Sequence, residues 1–98
     1  MNATSFDEFE SNARAAGFDE AVVREWTPDT VVAIHAHPFD ADAVVTQGEM
    51  WLTCGDITRH LKPGDTFSLA SGALHAERYG SQGATYWVAR RAPSRNVP

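Results

Sequence analysis

The sequence predicts a single all-β barrel or sandwich, preceded by one short helix. The chain has 98 residues, the size of one small domain. After residue 17, short runs of strand-forming residues alternate at even spacing with turns rich in glycine, proline and aspartate. Many short strands at regular intervals, without a second helical pattern between them, are typical of antiparallel sandwiches and barrels. Closing the sheet also removes exposed strand edges.

The helix is predicted over residues 5–16. Ser5 and Glu8 have the spacing of a capping box, in which the serine hydroxyl accepts from the Glu8 amide and the carboxylate reaches back. Phe6 and Phe9 begin an apolar stripe at helical spacing, and the following Gly17 is a natural stop. The predicted organisation is a helix and linker over 1–19, a barrel over 20–92 and a C-terminal tail over 93–98.

Eight strands are predicted after the helix, each an apolar or β-branched run bounded by turn residues. Glycine-containing segments at 47–49 and 80–83 are interpreted as turns between strands. The predicted strands are Glu20–Trp26, Thr30–His37, Ala43–Thr46, Met50–Cys54, Ile57–Leu61, Thr66–Leu69, His75–Tyr79 and Thr85–Arg90.

Composition and charge exclude several classes of partner. A formal net charge of -5 argues against binding to a nucleic-acid backbone. No apolar run has the length of a membrane span, and residues 1–10 lack the apolar segment of a signal peptide. The single cysteine forms no internal disulfide, so a cytoplasmic protein is expected. Arg90, Arg91 and Arg95 lie near the C-terminus and are interpreted as part of a solvated tail.

The second predicted strand is apolar on one face and carries histidines on the other. Val32 and Ile34 alternate with His35, so the apolar face is expected to be covered by the helix or by a second subunit. A homodimer is a natural way to cover it.

Three histidines are the candidate metal ligands. His35 and His37 lie two residues apart on one predicted strand, and the two-residue period of a strand puts both rings on one face. Neutral imidazole is a common ligand for transition metals. A third ligand must come from another strand, and His75 begins a later one with Glu77 on the same face. The remaining histidine, His60, precedes a turn and is expected to be exposed.

These residues resemble the two sequence blocks of the cupin superfamily. The first block contains a His-x-His pair and a closing glycine, and the second contains two glycines and a histidine at fixed spacing. The resemblance covers about residues 20–92, and it implies a cupin barrel (a double-stranded β-helix, or jelly roll) that holds a metal ion. The matching residues are His35, His37 and Gly48 in the first block and Gly64, Gly72 and His75 in the second.

The chain departs from the cupin pattern at the carboxylate ligand. Spacing from the closing glycine places Ala41 where the family has a glutamate. Asp42 is the nearest carboxylate and takes that role if the strand shifts by one residue. Ala70 and Tyr79 replace the proline and the asparagine of the second block. The ligand set implied by the resemblance is His35, His37 and His75, with Asp42 as a substitute carboxylate.

Two functions of different classes follow from this site. One is a small metalloenzyme, in which iron, zinc, nickel or manganese acts on a small anionic molecule as a Lewis acid or oxygen activator. The other is a non-catalytic module that binds a metabolite in a metal-free barrel. Cupin barrels host many unrelated chemistries, so the fold does not choose between the two. In both cases the expected partner is a small-molecule ligand.

Overall fold

A computed structural model describes residues 4–93, and within this range the chain forms one helix and six strands. The predicted tail over 93–98 therefore lies almost entirely outside the described residues. The elements in chain order are α1 (Phe6–Ala15), β1 (Glu20–Trp26), β2 (Val31–His35), β3 (Asp40–Cys54), β4 (Ile57–Leu61), β5 (Thr66–Leu69) and β6 (His75–Arg91).

Helix α1 has the predicted cap and packs on the outside of the barrel. The Glu8 amide donates to Ser5 Oγ at 3.1 Å, and the Thr4 amide donates to Glu8 Oε1 at 2.9 Å. Phe6 and Phe9 contact Trp87, with ring centroids 6.0 and 5.9 Å from the indole. The helix thus covers β1 and the second half of β6, where its apolar stripe forms a small core of its own.

Two of the predicted turns are bends inside long strands, so the eight predicted strands form six. β3 continues through Gly48, which pairs with Ala84 of β6 at a φ of +72°. β6 continues through the glycine-containing segment 80–83, opposite a register shift in β3. A glycine between two strand patterns is typical of a turn, but here each glycine allows a bulge without ending the hydrogen-bonded ladder.

The bent strands β3 and β6 join the two halves of the barrel. The first half of β3 and the second half of β6 pair with β5 and β1, respectively. The second half of β3 pairs with β4, and the first half of β6 pairs with β2. All of these pairs are antiparallel, which confirms the predicted all-β architecture.

The inward face of each long strand changes phase at its bend. Odd-numbered residues are buried in the first half of β3 and even-numbered residues in the second. β6 makes the same change across residues 80–83, so the buried side chains are odd-numbered before it and largely even-numbered after it. The resulting core includes Ala41, Ala43, Val45, Met50, Leu52, Leu61, Phe67, Tyr79, Tyr86 and Val88.

The outer face of β2 is not covered by the helix. Val31 and Ile34 are 71% and 72% exposed, whereas α1 packs on β1 and β6. Val32, which was expected on the same face as Ile34, instead packs against the core, and the pairing of β2 with β6 is irregular between Val32 and His35. Of the two covers expected for this face, the helix is therefore excluded, and the homodimer stays a prediction. Among residues 4–93, no helix is long and apolar enough to span a membrane.

Candidate metal centre

The structure brings His35, His37 and His75 together at one end of the barrel interior. Each ring contributes one nitrogen atom to a group of three atoms that lie within 4.8 Å of one another. His35 pairs directly with His75 between β2 and β6, and their ring centroids are 4.2 Å apart. His37 follows the end of β2, and its carbonyl accepts a hydrogen bond from the Gly72 amide at 2.9 Å. Strand pairing and a loop contact therefore build the cluster.

Backbone carbonyls fix the tautomers of two of these rings. His35 Nδ1 lies 2.8 Å from the Ala33 carbonyl oxygen, and His75 Nδ1 lies 2.9 Å from that of Ala73. A carbonyl oxygen only accepts, so each Nδ1 carries a hydrogen. In the neutral ring, Nε2 then carries a lone pair that is directed into the cluster. Metal-binding histidines use the same arrangement.

Glu77 places a buried carboxylate beside the histidines. Its Oε2 lies 3.4 Å from His35 Nε2 and 3.5 Å from His75 Nε2, and its side chain is only 6% exposed. The Tyr79 hydroxyl donates to Glu77 Oε1. Burial, followed by the nearby Tyr86 and by this hydrogen bond, raises the pKa of Tyr79, so the phenol stays a neutral donor.

Asp42 is not brought to the histidines. It lies exposed on β3, paired with Ser68 and Ala89, and borders a surface groove beside α1. β3 is not shifted by one residue, so Ala41 faces the histidines and Asp42 faces outward. The carboxylate beside the cluster comes from β6 instead.

The fourth histidine lies away from the cluster, as expected. His60 is exposed on β4, where its Nε2 lies 2.7 Å from Glu49 Oε1 and its ring stacks on Trp51. It therefore offers an internal control for substitutions of the clustered histidines.

Sequence reasoning missed two arginines that line the cavity of ≈ 80 Å³ next to the histidines. Arg90 was assigned to a solvated tail, but it lies in β6, and its side chain is 22% exposed. Arg24 of β1 lines the same cavity. The alternation of side chains along a strand could have found both arginines. Arg24 shares a strand face with Trp26, and Arg90 shares one with Val88.

The environment of His37 lowers its pKa from the ordinary value of 6.5. Burial is the largest cause, followed by His35 and His75, with a smaller effect of Arg90, whereas Glu77 acts in the opposite direction. Neutral His37 is therefore favoured near pH 7, which is the form that binds a metal ion.

The lowered pKa predicts acid sensitivity of the metal-free protein. Unfolded His37 titrates near 6.5 and binds a proton more readily than folded His37. The stability that neutral His37 contributes is therefore full above pH 6.5 and is lost as the pH falls toward the pKa of the folded protein. His37→Asn should flatten the fall in unfolding free energy between pH 7 and 5, by at most about 1.4 kcal/mol per pH unit. Urea titrations across this range measure the slope, with His60→Asn as the control. Equal slopes for the two variants would contradict the assignment.

Comparisons with known proteins place the chain among structures of one fold. No protein-family model and no curated protein sequence matches it. It is similar to a Klebsiella pneumoniae protein with a double-stranded β-helix domain, at 27% identity and a TM-score of 0.63, over 80% of this chain and 70% of that one. It is also similar to the cupin domain of Cnp3 from Schizosaccharomyces pombe, at 15% identity and a TM-score of 0.68, over 74% and 52% of the two chains.

A third similar structure is the DMSP lyase DddQ from Ruegeria pomeroyi, at 25% identity and a TM-score of 0.69. The match covers 80% of this chain but only 40% of the lyase. Another, a Streptococcus pyogenes protein of unknown function, is covered over 66% of its length. The chain thus spans about two fifths to two thirds of several of these structures, and the matches establish its fold.

Proposed function

Since the chain has the cupin fold, we propose that it binds one divalent transition-metal ion in its barrel through His35, His37 and His75. Glu77 is the fourth protein ligand in this proposal and replaces the carboxylate that the family takes from the position of Ala41. Three imidazoles and one carboxylate suit iron, nickel, manganese or zinc. Four protein ligands fill a tetrahedral zinc site but leave two open positions on a six-coordinate ion, so catalysis favours iron, nickel or manganese.

The observation that carries the proposal is a convergence of acceptors. The Nε2 lone pairs of His35 and His75 face Glu77 Oε2 at 3.4 and 3.5 Å. When both rings are neutral, none of these three atoms has a hydrogen to donate to the others, and buried acceptors facing one another are unfavourable. A shared cation satisfies all three at once. A proton on one ring satisfies only one contact.

The remaining residues fit a metalloenzyme that acts on a small anionic molecule. A bound divalent ion supplies Lewis acidity and open coordination positions. The chain's own contribution is orientation: Tyr79 holds the Glu77 carboxylate, and the carbonyls of Ala33 and Ala73 hold two imidazoles. The cavity of ≈ 80 Å³ admits only a small ligand.

Elemental analysis tests the metal site. Untagged protein, purified without chelators or metal columns, should contain about one metal ion per chain at a four-ligand site of this kind. His75→Ala should lose it, because it removes a ligand and leaves only three of the four acceptors. His60→Ala is the matched control and should retain the metal.

Two results would count against the proposal. Metal retained equally in His75→Ala and in the wild type would place the ion elsewhere. Absence of metal from correctly folded wild-type protein, even after incubation with iron, nickel, manganese and zinc salts, would favour the metal-free ligand-binding module.

A further inference from the structure

Two arginines line the same cavity as the histidines. The Arg24 guanidinium lies 4.8 Å from the centroid of the Trp26 ring, and that of Arg90 lies 5.0 Å from the centroid of Phe39. Neither arginine is fully exposed. Partly buried guanidinium groups are usually paired with carboxylates, so their partners within the chain decide what else they can bind.

Arg90 is incompletely paired. Its nearest carboxylate is Glu20, with Oε2 3.6 Å from one terminal nitrogen, and the Glu20 side chain is 52% exposed. The Nε of Arg90 is buried and has no acceptor among residues 4–93. Within the same part of the chain, Arg24 forms no ion pair. Both arginines line the cavity, so it presents two positive charges to a ligand, beside the single carboxylate of Glu77.

The arginines lie within reach of the metal cluster. The ring of Phe39 stacks on His37 with centroids 4.9 Å apart, and its centroid is 5.0 Å from the Arg90 guanidinium. His37 and the guanidinium are thus separated by less than about 10 Å. The cavity of ≈ 80 Å³ has room for a few water-sized groups. A molecule that spans it is small.

We propose that the cavity binds a short-chain carboxylate of about two to four carbons. The carboxylate accepts hydrogen bonds from the terminal nitrogens of the Arg90 guanidinium and is attracted by Arg24. The other end of the molecule, a hydroxyl or carbonyl oxygen, faces the histidine cluster. This second contact rests on the proposed metal site, whereas the arginine contact does not.

The chemistry of the cavity selects this ligand class. An arginine offers two parallel N–H groups to a planar carboxylate, and charge-assisted bonds of this kind are stronger than neutral ones. Apolar neighbours including Phe67, Leu69 and Val88 line the rest of the cavity and reduce solvent screening of the charges. A neutral ligand would leave the guanidinium groups partly desolvated without an anionic partner.

Titration calorimetry with glycolate as the probe tests the proposal on the purified chain, both loaded with metal and stripped of it. Arg90→Gln should weaken glycolate binding about 10- to 100-fold, which is the effect of losing a charge-assisted hydrogen bond. Arg91→Gln is the matched control. It lies on the same strand, its guanidinium is over Phe18 outside the cavity, and it should bind glycolate like the wild type.

A second variant gives a change in the opposite direction. Glu20→Gln removes the carboxylate that competes for Arg90 and should tighten glycolate binding by about threefold, the size expected for an exposed ion pair. A merely structural role of Arg90 would not produce tighter binding in this variant. Glycolamide, the neutral counterpart of glycolate, should bind at least tenfold more weakly than glycolate.

The outcomes separate the two proposals. Metal uptake without measurable glycolate binding overturns the carboxylate site and leaves the metal site standing. Glycolate binding that Arg90→Gln abolishes in protein that takes up no metal supports the carboxylate site and overturns the metal site. Three further results would overturn the proposed ligand. They are equal glycolate binding by Arg90→Gln and Arg91→Gln, equal binding of glycolamide and glycolate, and tighter binding of inorganic phosphate than of glycolate.

Discussion

Gly83→Ala should lower the free energy of unfolding by about 4 kcal/mol or more, among the largest effects expected for one methyl group. Gly83 has a φ of +70°, a left-handed conformation that costs an alanine roughly 1–2 kcal/mol. A Cβ atom at this position would also overlap the carbonyl oxygen of Trp26 and lie 3.3 Å from Pro28 N. Both are backbone atoms, so relief requires the bend in β6 to move.

Gly55→Ala provides the control for this substitution. Gly55 has a φ of +59° but no atom within 4 Å of an added Cβ, so it isolates the conformational cost. Thermal unfolding should show a drop in Tm of about 5–10 °C for Gly55→Ala and of more than about 15 °C for Gly83→Ala. Equal drops in the two variants would show that the close approach of β6 to the end of β1 does not constrain Gly83.

Glu77→Gln should have opposite effects on metal affinity and on metal-free stability. The amide loses the negative charge that attracts a cation, and metal affinity should fall at least about tenfold. In the metal-free protein, however, the new NH₂ group can donate to the Nε2 lone pair of His35 or His75, and the amide oxygen can still accept from Tyr79. One added buried hydrogen bond should raise the unfolding free energy by about 1 kcal/mol.

Urea unfolding in the presence of a chelator measures the stability, and competition with a chromogenic chelator measures the affinity. Glu49→Gln is the control, because Glu49 also faces a histidine, His60, but on the exposed surface. Its effect on stability should lie within about 0.5 kcal/mol, and its effect on metal affinity should be negligible. A metal-free Glu77→Gln protein less stable than wild type would argue against converging lone pairs at the cluster.

The elements predicted most accurately from sequence are those with clear turn or capping residues at their ends. The bounds of β1, β4 and β5 agree with the prediction, because turn residues flank each strand. The clustering of the three histidines was predicted from strand alternation and the spacing of the cupin blocks, although β2 ends at His35 and a loop contact positions His37. Helix α1 followed from its capping box.

The errors in the number of strands share one physical cause, which is a change of strand phase at a bend that local patterns do not contain. A bulge at Gly48 or at residues 80–83 exchanges the inward and outward faces of the remaining strand. Such phases are set by long-range pairing, which the sequence around each residue does not specify. Asp42 and Arg90 are different cases, because local alternation with Ala41 and with Val88 gives the faces that the structure shows.

The central position of β6 has a consequence for the order of folding. This strand pairs with β1, β2 and β3, and the pairs of β6 with β1 and β2 join residues far apart in the chain, including His35 with His75. Loop closure opposes such pairs until many contacts form together, whereas the β3–β4 hairpin is local. The histidine cluster is therefore expected to be complete only when β6 docks, late in folding. The metal ion that we propose there would stabilise the finished barrel, so it would slow unfolding rather than accelerate folding.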